Sequence, residues 1–419
     1  MIHADILIVG AGASGLMAAK ELSARGKKVI ILEARNRAGG RIDTLPQKHF
    51  SQPVEAGAEF IHGNLSLTLQ LLKENNIPYT KATGSTLRKK DGQWQDTDDE
   101  IEGWDEMMQQ MDALNEDITL SDFLNTFFNG EKYTKLRQSA IQFAQGFDVA
   151  DENKAGVIAL RNEWQHEEEV QYRIGGGYMQ LIDALTMICL RQHCEIHFWE
   201  VVNKVVWNKN KVIATTANNE QFSAEKIIIT VPISMLQTEG AIAFVPAISE
   251  KINAVKEIGF GAVIKVLIQF EEAFWQDVHQ DALFFFCEEK IPTWWTQYPA
   301  KNNLLTGWLG GPKAFAMQDY SPEQILDIAL QSLASMFSKK LPPVTAWHVA
   351  NWQKQPYTFG AYSYNTTQSA QAKAILKEPV ENTIYFAGEA IYTGDAQGTV
   401  EAALISGRET AERLLKDIE

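Results

Sequence analysis

The sequence predicts an α/β plus α+β protein: a parallel-sheet domain assembled from separated segments of the chain, with a mixed-sheet and helical domain filling the insertions. Three observations predict it. The chain opens on a short apolar run, a glycine-rich turn and a stretch of helical spacing, with a second apolar strand directly after. The same order of strand, glycines and helix returns at the C-terminal end. Strand-type patterns occupy much of the interval between the two.

Taken in order, Asp5–Val9 reads as a buried strand, Gly10–Gly15 as a turn, and Leu16–Ala24 as a helix ending near Gly26. Lys28–Leu32 is a second strand, closed by Glu33. Residues 64–74, 104–145 and 178–192 carry helical spacing; Met107, Met111 and Leu114 are read as packed core. From Glu195 to Thr230 strands follow one another, with a hairpin turn at Asn218–Asn219 and a buried strand, Lys226–Val231, stopped by Pro232. A strand at 260–270, a helix at 322–337, a strand at Thr383–Ala387 and a helix from about Thr399 to Lys416 complete the chain. On this pattern residues 1–80, 194–255 and 366–419 form the first domain, and 81–193 and 256–365 the second.

Composition narrows the function. The 419 residues are 45% hydrophobic and 22% charged, an ordinary globular balance. A net charge of -15 disfavours nucleic acid, whose phosphates it repels, and favours cationic ligands. Acidic runs at Asp96–Glu102 and His166–Glu169 read as solvated helix or loop faces, with attraction of polyamines as the alternative. Three cysteines without CxxC spacing argue against a disulfide framework and a zinc site. The chain enters its first strand without a charged leader, and no apolar run reaches the roughly 18 residues of a membrane span. The expectation is a soluble, cytoplasmic protein, monomer or homodimer, without nucleic-acid or membrane partners.

Gly10-Ala11-Gly12-Ala13-Ser14-Gly15 matches GxGxxG between a strand and a helix. Gly10 permits the tight turn, Gly12 the approach of a pyrophosphate to the backbone, and Gly15 close helix–strand packing. The helix N-terminus beyond them offers free N–H groups to phosphate. Glu33, at the end of the second strand, can accept hydrogen bonds from ribose hydroxyls. These residues predict a bound dinucleotide and leave NAD and FAD open.

The segment Leu32-Glu33-Ala34-Arg35-Asn36-Arg37-Ala38-Gly39-Gly40-Arg41 resembles the one after the fingerprint in flavin-containing amine oxidases, the family of monoamine oxidases, polyamine and spermine oxidases and the flavin histone demethylase. The resemblance implies a Rossmann-type, glutathione-reductase-like FAD domain. It implies that Glu33 holds ribose and that Arg35, Gly39, Gly40 and Arg41 lie along the diphosphate and ribityl chain. Further pieces follow in family order. Gly57-Ala58-Glu59-Phe60-Ile61-His62 is similar to the segment beneath the flavin ring, and Val202 matches a backbone contact on the adenine side. Gly388-Glu389 resembles the motif whose acid meets the ribityl chain, and Gly398-Thr399-Val400 the start of the final helix, aimed at the pyrimidine end of the flavin.

Lys265 interrupts the apolar run Ala262–Ile268, where an unpaired ammonium is costly and needs a polar partner; Gln269 shares its face of the strand. The resemblance implies that Lys265 holds a water against flavin N5. Trp352 and Tyr362, in a W-x4-PY-x2-GAY spacing, are similar to aromatics packed near the ring and lining the amine path. His62 matches a position that faces substrate, and a neutral imidazole can accept a hydrogen bond from an amine. Two departures stand out. Ala361 replaces the cysteine that monoamine oxidases join to the flavin, so FAD is expected to be noncovalent. Thr399 replaces the second tyrosine of their aromatic pair.

The expected activity is oxidation of a mono- or polyamine, with hydride passing from the α-carbon to flavin N5, imine hydrolysed to aldehyde, and O2 reduced to H2O2. Alternatives are an L-amino-acid oxidase, with Arg173 as the carboxylate anchor, and a flavin-holding interaction protein with little turnover. A desaturase or porphyrinogen oxidase would share the fingerprint but lack the Lys265 strand and the Tyr362 segment.

Overall fold

The computed structural model describes residues 1–48, 50–96, 101–165 and 170–418. Most of the two acidic runs, at 97–100 and 166–169, lies outside the described residues. Five parallel strands order themselves as Glu195–His197, Val29–Leu32, Ile6–Val9, Lys226–Ile229 and Ile384–Phe386. The central strands are apolar at nearly every position because both faces are covered. On one face, helices Ala13–Ser23, Met179–Arg191 and Val400–Ile418 pack through Leu16, Leu22, Leu181, Leu185, Leu404 and Leu414. Each such side chain contributes roughly 1.5–3 kcal/mol by leaving water. Helix Met179–Arg191 therefore packs on the parallel sheet, although it belongs to the segment 81–193.

The opposite face is covered by a second sheet through Val205, Val212, Ala214 and Phe222. Its strands Val202–Asn208 and Lys211–Thr216 pair antiparallel, and Lys211–Thr216 continues into Gln221–Ala224 through a turn in which Asn219 takes a φ of +63°. This is the hairpin expected from Asn218–Asn219. The first and last helices meet closely at Gly407, where a Cβ would fall 2.2 Å from the Ser14 carbonyl oxygen. That contact fixes the last helix beside the glycine turn.

Seven strands form the other large sheet, in the order Val344–Asn351, Val263–Phe270, Leu304–Gly310, Thr293–Trp295, Ala282–Phe286, Ser85–Lys90 and Gln93–Asp96. One face buries Ile264, Val266 and Ile268 against helix Pro322–Phe337. That helix starts where the sequence places it, with a reciprocal capping box between Ser321 and Gln324. The alternate residues of the same strand, Val263, Lys265 and Leu267, face the opposite way.

Two expectations needed correction. The span 104–145 is three helices, Trp104–Asp112, Leu120–Phe127 and Thr134–Gly146. Thr119 restarts the chain by accepting from the Asp122 amide at 3.1 Å. All three bury their apolar sides in one cluster around Met107, Phe123 and Leu136, so helical spacing continues across the breaks. The strand expected at 260–270 runs only over Val263–Phe270; Gly259–Phe260 pairs instead with Ser363–Tyr364. Among the described residues no helix is long and apolar enough to cross a membrane.

Candidate active site

Chain geometry at the first turn leaves room for a ligand. Gly10 sits at φ +109°, a conformation other residues rarely adopt. Gly15 has to be glycine for packing, since a Cβ would lie 2.0 Å from the Gly10 carbonyl oxygen. Gly12 differs: its backbone is extended, and a Cβ there would meet nothing within 4 Å. Nothing in the protein itself demands a glycine at that point; a group lying against the backbone would. Ser14 Oγ is buried beside it without a hydrogen-bond partner. Glu33 accepts from the amides of Ala11, at 2.7 Å, and Arg35, at 2.9 Å, and so ties the turn to the end of the second strand. A carboxylate has about four acceptor positions, so two remain.

The loop after Glu33 folds back over the turn. Gly39 donates to the Ala11 carbonyl, and Gly39 and Gly40 both take positive φ. Arg35 spans from the Gly40 carbonyl to the Pro356 carbonyl and Thr358 hydroxyl. Arg41 donates to the Ala361 carbonyl and to Glu389 Oε1, each at 2.7 Å, while Glu389 Oε2 accepts from Ser363 Oγ at 2.6 Å. Gly57 is pressed against Arg41, whose carbonyl oxygen a Cβ would approach to 2.0 Å. These bonds link the first segment, the 352–363 segment and the last one into a single wall.

Lys265 is 1% exposed, and its Nζ donates to Glu59 Oε2 at 2.7 Å and to the Gly57 carbonyl at 3.2 Å. Glu59 is in turn held by Arg173 at 3.1 Å, and by Trp295 Nε1 and Gln297 Nε2 at 3.0 Å each. Burial by itself would raise this carboxyl; the charges of Lys265 and Arg173 outweigh it and hold Glu59 down at about 2. The partner that the buried lysine required is thus Glu59, not Gln269, which reaches Ser51 and Thr345 at the far end of the strand.

A cavity of about 1640 Å³ runs from the glycine turn past Glu33 and Val202 at one end to Lys265, Tyr362 and Gly398–Val400 at the other. Every residue proposed from the sequence for FAD or the amine lines it except Gly15, which packs helix on strand. Trp352 is buried in its wall with Nε1 on the Ala56 carbonyl at 3.0 Å.

A family model described as flavin containing amine oxidoreductase matches residues 13–415. The chain belongs to that family. Polyamine oxidase 4 of Oryza sativa subsp. japonica is 27% identical over 99% of this chain and 89% of its own length. Lysine-specific histone demethylase 2 of Homo sapiens is 27% identical over 98% of this chain but 53% of its own length, so the chain spans about half of that relative. Wild-type putrescine oxidase bound to putrescine matches in fold, with a TM-score of 0.83 over 99% of both chains at 20% identity.

The remaining candidates fall as follows. The Tyr362 hydroxyl donates to the Phe147 carbonyl, and a Cβ on Gly398 would come within 2.9 Å of its ring. His62 faces Phe147 edge-on, ring centroids 5.7 Å apart, and burial pushes its pKa down to about 4, so the ring is neutral near pH 7. The Thr399 hydroxyl is committed to the last helix: it donates to the Ala396 carbonyl and accepts from the Ala402 amide. Arg173, the candidate carboxylate anchor, does not line the cavity; Glu59 and the carbonyls of Thr296 and Tyr298 occupy its guanidinium. The amino-acid oxidase alternative loses its only named anchor.

Sequence reasoning missed Asp148 and Glu163, which also line the cavity. Trp164 Nε1 donates to Asp148 at 3.0 Å, and burial raises the pKa of Glu163, whose carboxyl hydrogen-bonds Asp148. No spacing rule announces them. Asp148 precedes Val149, a β-branched residue at φ +50°, and that strain is invisible in the sequence.

Proposed function

We propose that the chain binds FAD noncovalently in this cavity and oxidises an amine, primary or secondary, with O2 as electron acceptor. The segments 1–80, 194–255 and 366–419, with helix Met179–Arg191 packed on them, form a Rossmann-type cofactor half. The remainder of 81–193 and 256–365 forms the substrate half. The residues fit the group: Gly12 offers open backbone, Ser14 Oγ lacks a partner, and Glu33 has acceptor capacity left for ribose. Ala361 offers no thiol for a covalent link. When bound, FAD supplies the hydride acceptor for the carbon next to nitrogen and the site where O2 becomes H2O2.

The chain's own residues supply the rest. Glu59 and the Gly57 carbonyl take two of the three donors of Lys265, leaving one N–H for a water or reacting group in the cavity. Trp352 and Tyr362 provide apolar and π surface for the amine body. His62, neutral, accepts rather than repels an N–H donor. Asp148 and Glu163 place acidic oxygens on the cavity wall, which suits cationic amines and favours a substrate with a second nitrogen.

One observation carries the reading: the buried Lys265–Glu59 pair lies on the wall of the same cavity that begins at the open Gly12 turn. The test is an anaerobic screen of the yellow purified protein against monoamines, diamines, polyamines and amino acids. Bleaching by an amine, with peroxide on readmission of air, is the expected result. A flavin that stays oxidised with every class would leave an interaction protein as the better description.

A further inference from the structure

Helix Ser369–Lys377 carries a lysine with no role in the chemistry above. Lys373 is 3% exposed, yet among the described residues no carboxylate lies within ion-pair distance of it. Its Nζ donates to the Tyr392 carbonyl at 3.0 Å and to Gln397 Oε1 at 2.9 Å. Asn365 Nδ2 donates to the same Gln397 oxygen. An ammonium cannot accept a hydrogen bond, so the oxygen of the Gln397 amide has to point at Lys373. The NH2 group is then left for the cavity, which Gln397 lines immediately before Gly398–Val400. Helix Val400–Ile418 begins there, and its N-terminus adds a partial positive charge.

A buried ammonium satisfied only by neutral acceptors is costly. Burial pulls Lys373 down to about 8 against the more distant charges of Glu389 and Glu163, which raise it; Lys377 acts in the same direction as burial. We propose that Lys373 is a positioning residue that locks the Gln397 amide with its donor toward the cavity and sets positive potential at the end where the last helix starts, stabilising the reduced flavin over the oxidised one. This rests on the reading that flavin lies in the cavity with its pyrimidine end at that helix. Hydride transfer places two electrons and one proton on the ring, which therefore gains one negative charge. A cation behind Gln397 opposes that charge in a low-dielectric setting and favours the reduced form.

The test reads the cofactor rather than turnover. The FAD-loaded protein is reduced chemically under nitrogen in equilibrium with a reference dye of known potential, so no amine is needed. Lys373→Met should shift the equilibrium toward oxidised flavin by on the order of tenfold, which for a two-electron couple is about 30 mV. Lys373→Arg keeps the charge and should stay near the wild type. An unchanged equilibrium in Lys373→Met, or an equal shift in Lys373→Arg, overturns the proposal. Should the Met variant not retain FAD, wild type and Lys373→Arg are compared from about pH 6 to about pH 10. The wild type should fall toward oxidised flavin relative to the Arg variant as pH rises through the Lys373 titration, and curves that coincide throughout overturn the assignment. Failure of the amine-oxidation reading appears separately, as wild-type flavin that no amine bleaches.

Discussion

Lys265 and Glu59 form a buried ion pair, Nζ to Oε2 2.7 Å, whose side chains are 1% and 5% exposed. The lysine is the third residue of the strand Val263–Phe270, flanked by Ile264 and Val266, and the glutamate follows Gly57, which is pressed against the Arg41 backbone. Arg173 makes a second contact to the same carboxylate, so Glu59 answers two cations. The pair holds the ammonium rigidly at the cavity wall, where a mobile lysine would hold nothing in register.

Removing one member of a buried pair leaves the other uncompensated. Lys265→Met should slow flavin reduction or reoxidation by orders of magnitude while FAD stays bound. Arg173 remains beside Glu59, so destabilisation should sit at or below the roughly 3–5 kcal/mol typical of a broken buried pair. Stopped-flow half-reactions and urea unfolding measure the two effects. Unchanged rates in both half-reactions would remove Lys265 from the chemistry.

Glu33 holds the amides of Ala11 and Arg35 as well as facing the cavity. Glu33→Ala should orphan both donors, costing about 1–3 kcal/mol for each that stays buried, and should weaken FAD retention. Flavin content after dialysis and the unfolding midpoint report on this. Full occupancy after dialysis would count against the ribose role.

His62 titrates at about 4 against an ordinary 6.5 because burial disfavours its charged form. The unfolded chain therefore takes up a proton near pH 6.5 that the folded chain refuses until about pH 4. Stability from this group is complete above 6.5 and declines as pH falls toward 4. His62→Gln should flatten the stability profile across that window while other groups, common to both proteins, cancel. Parallel profiles for the two proteins would contradict the shift.

Glu163 lines the cavity, its carboxyl on Asp148. Glu163→Gln should raise KM for a diamine by about tenfold, the worth of one partly screened charge contact, and leave KM for a monoamine of equal length nearly unchanged. An equal change for both substrates would mean that Glu163 does not read the second nitrogen.

Noncovalent attachment is checked by acid precipitation. The yellow colour should pass entirely into the supernatant, because Ala361 stands where an attaching thiol would be needed. Flavin retained in the pellet would disprove it.

Local pattern was enough to find the glycine turn and the elements around it. Gly10, Gly12, Gly15 and Glu33 belong to one strand–turn–helix–strand unit whose spacing is dictated by chain geometry, so a short window of sequence contains the whole device. Lys265 was recognisable as an anomaly, a charge in an apolar strand, for the same local reason. Its partner was not: Glu59 lies 206 residues away and meets Lys265 only through the packing of two separate segments. Arg41 with Glu389, Asp148 held beside the strained Val149, and Lys373 behind Gln397 are likewise choices of packing. Hydrophobic periodicity specifies which face of an element is buried, whereas the identity of a buried charge's partner depends on which faces meet, and only the tertiary structure decides that.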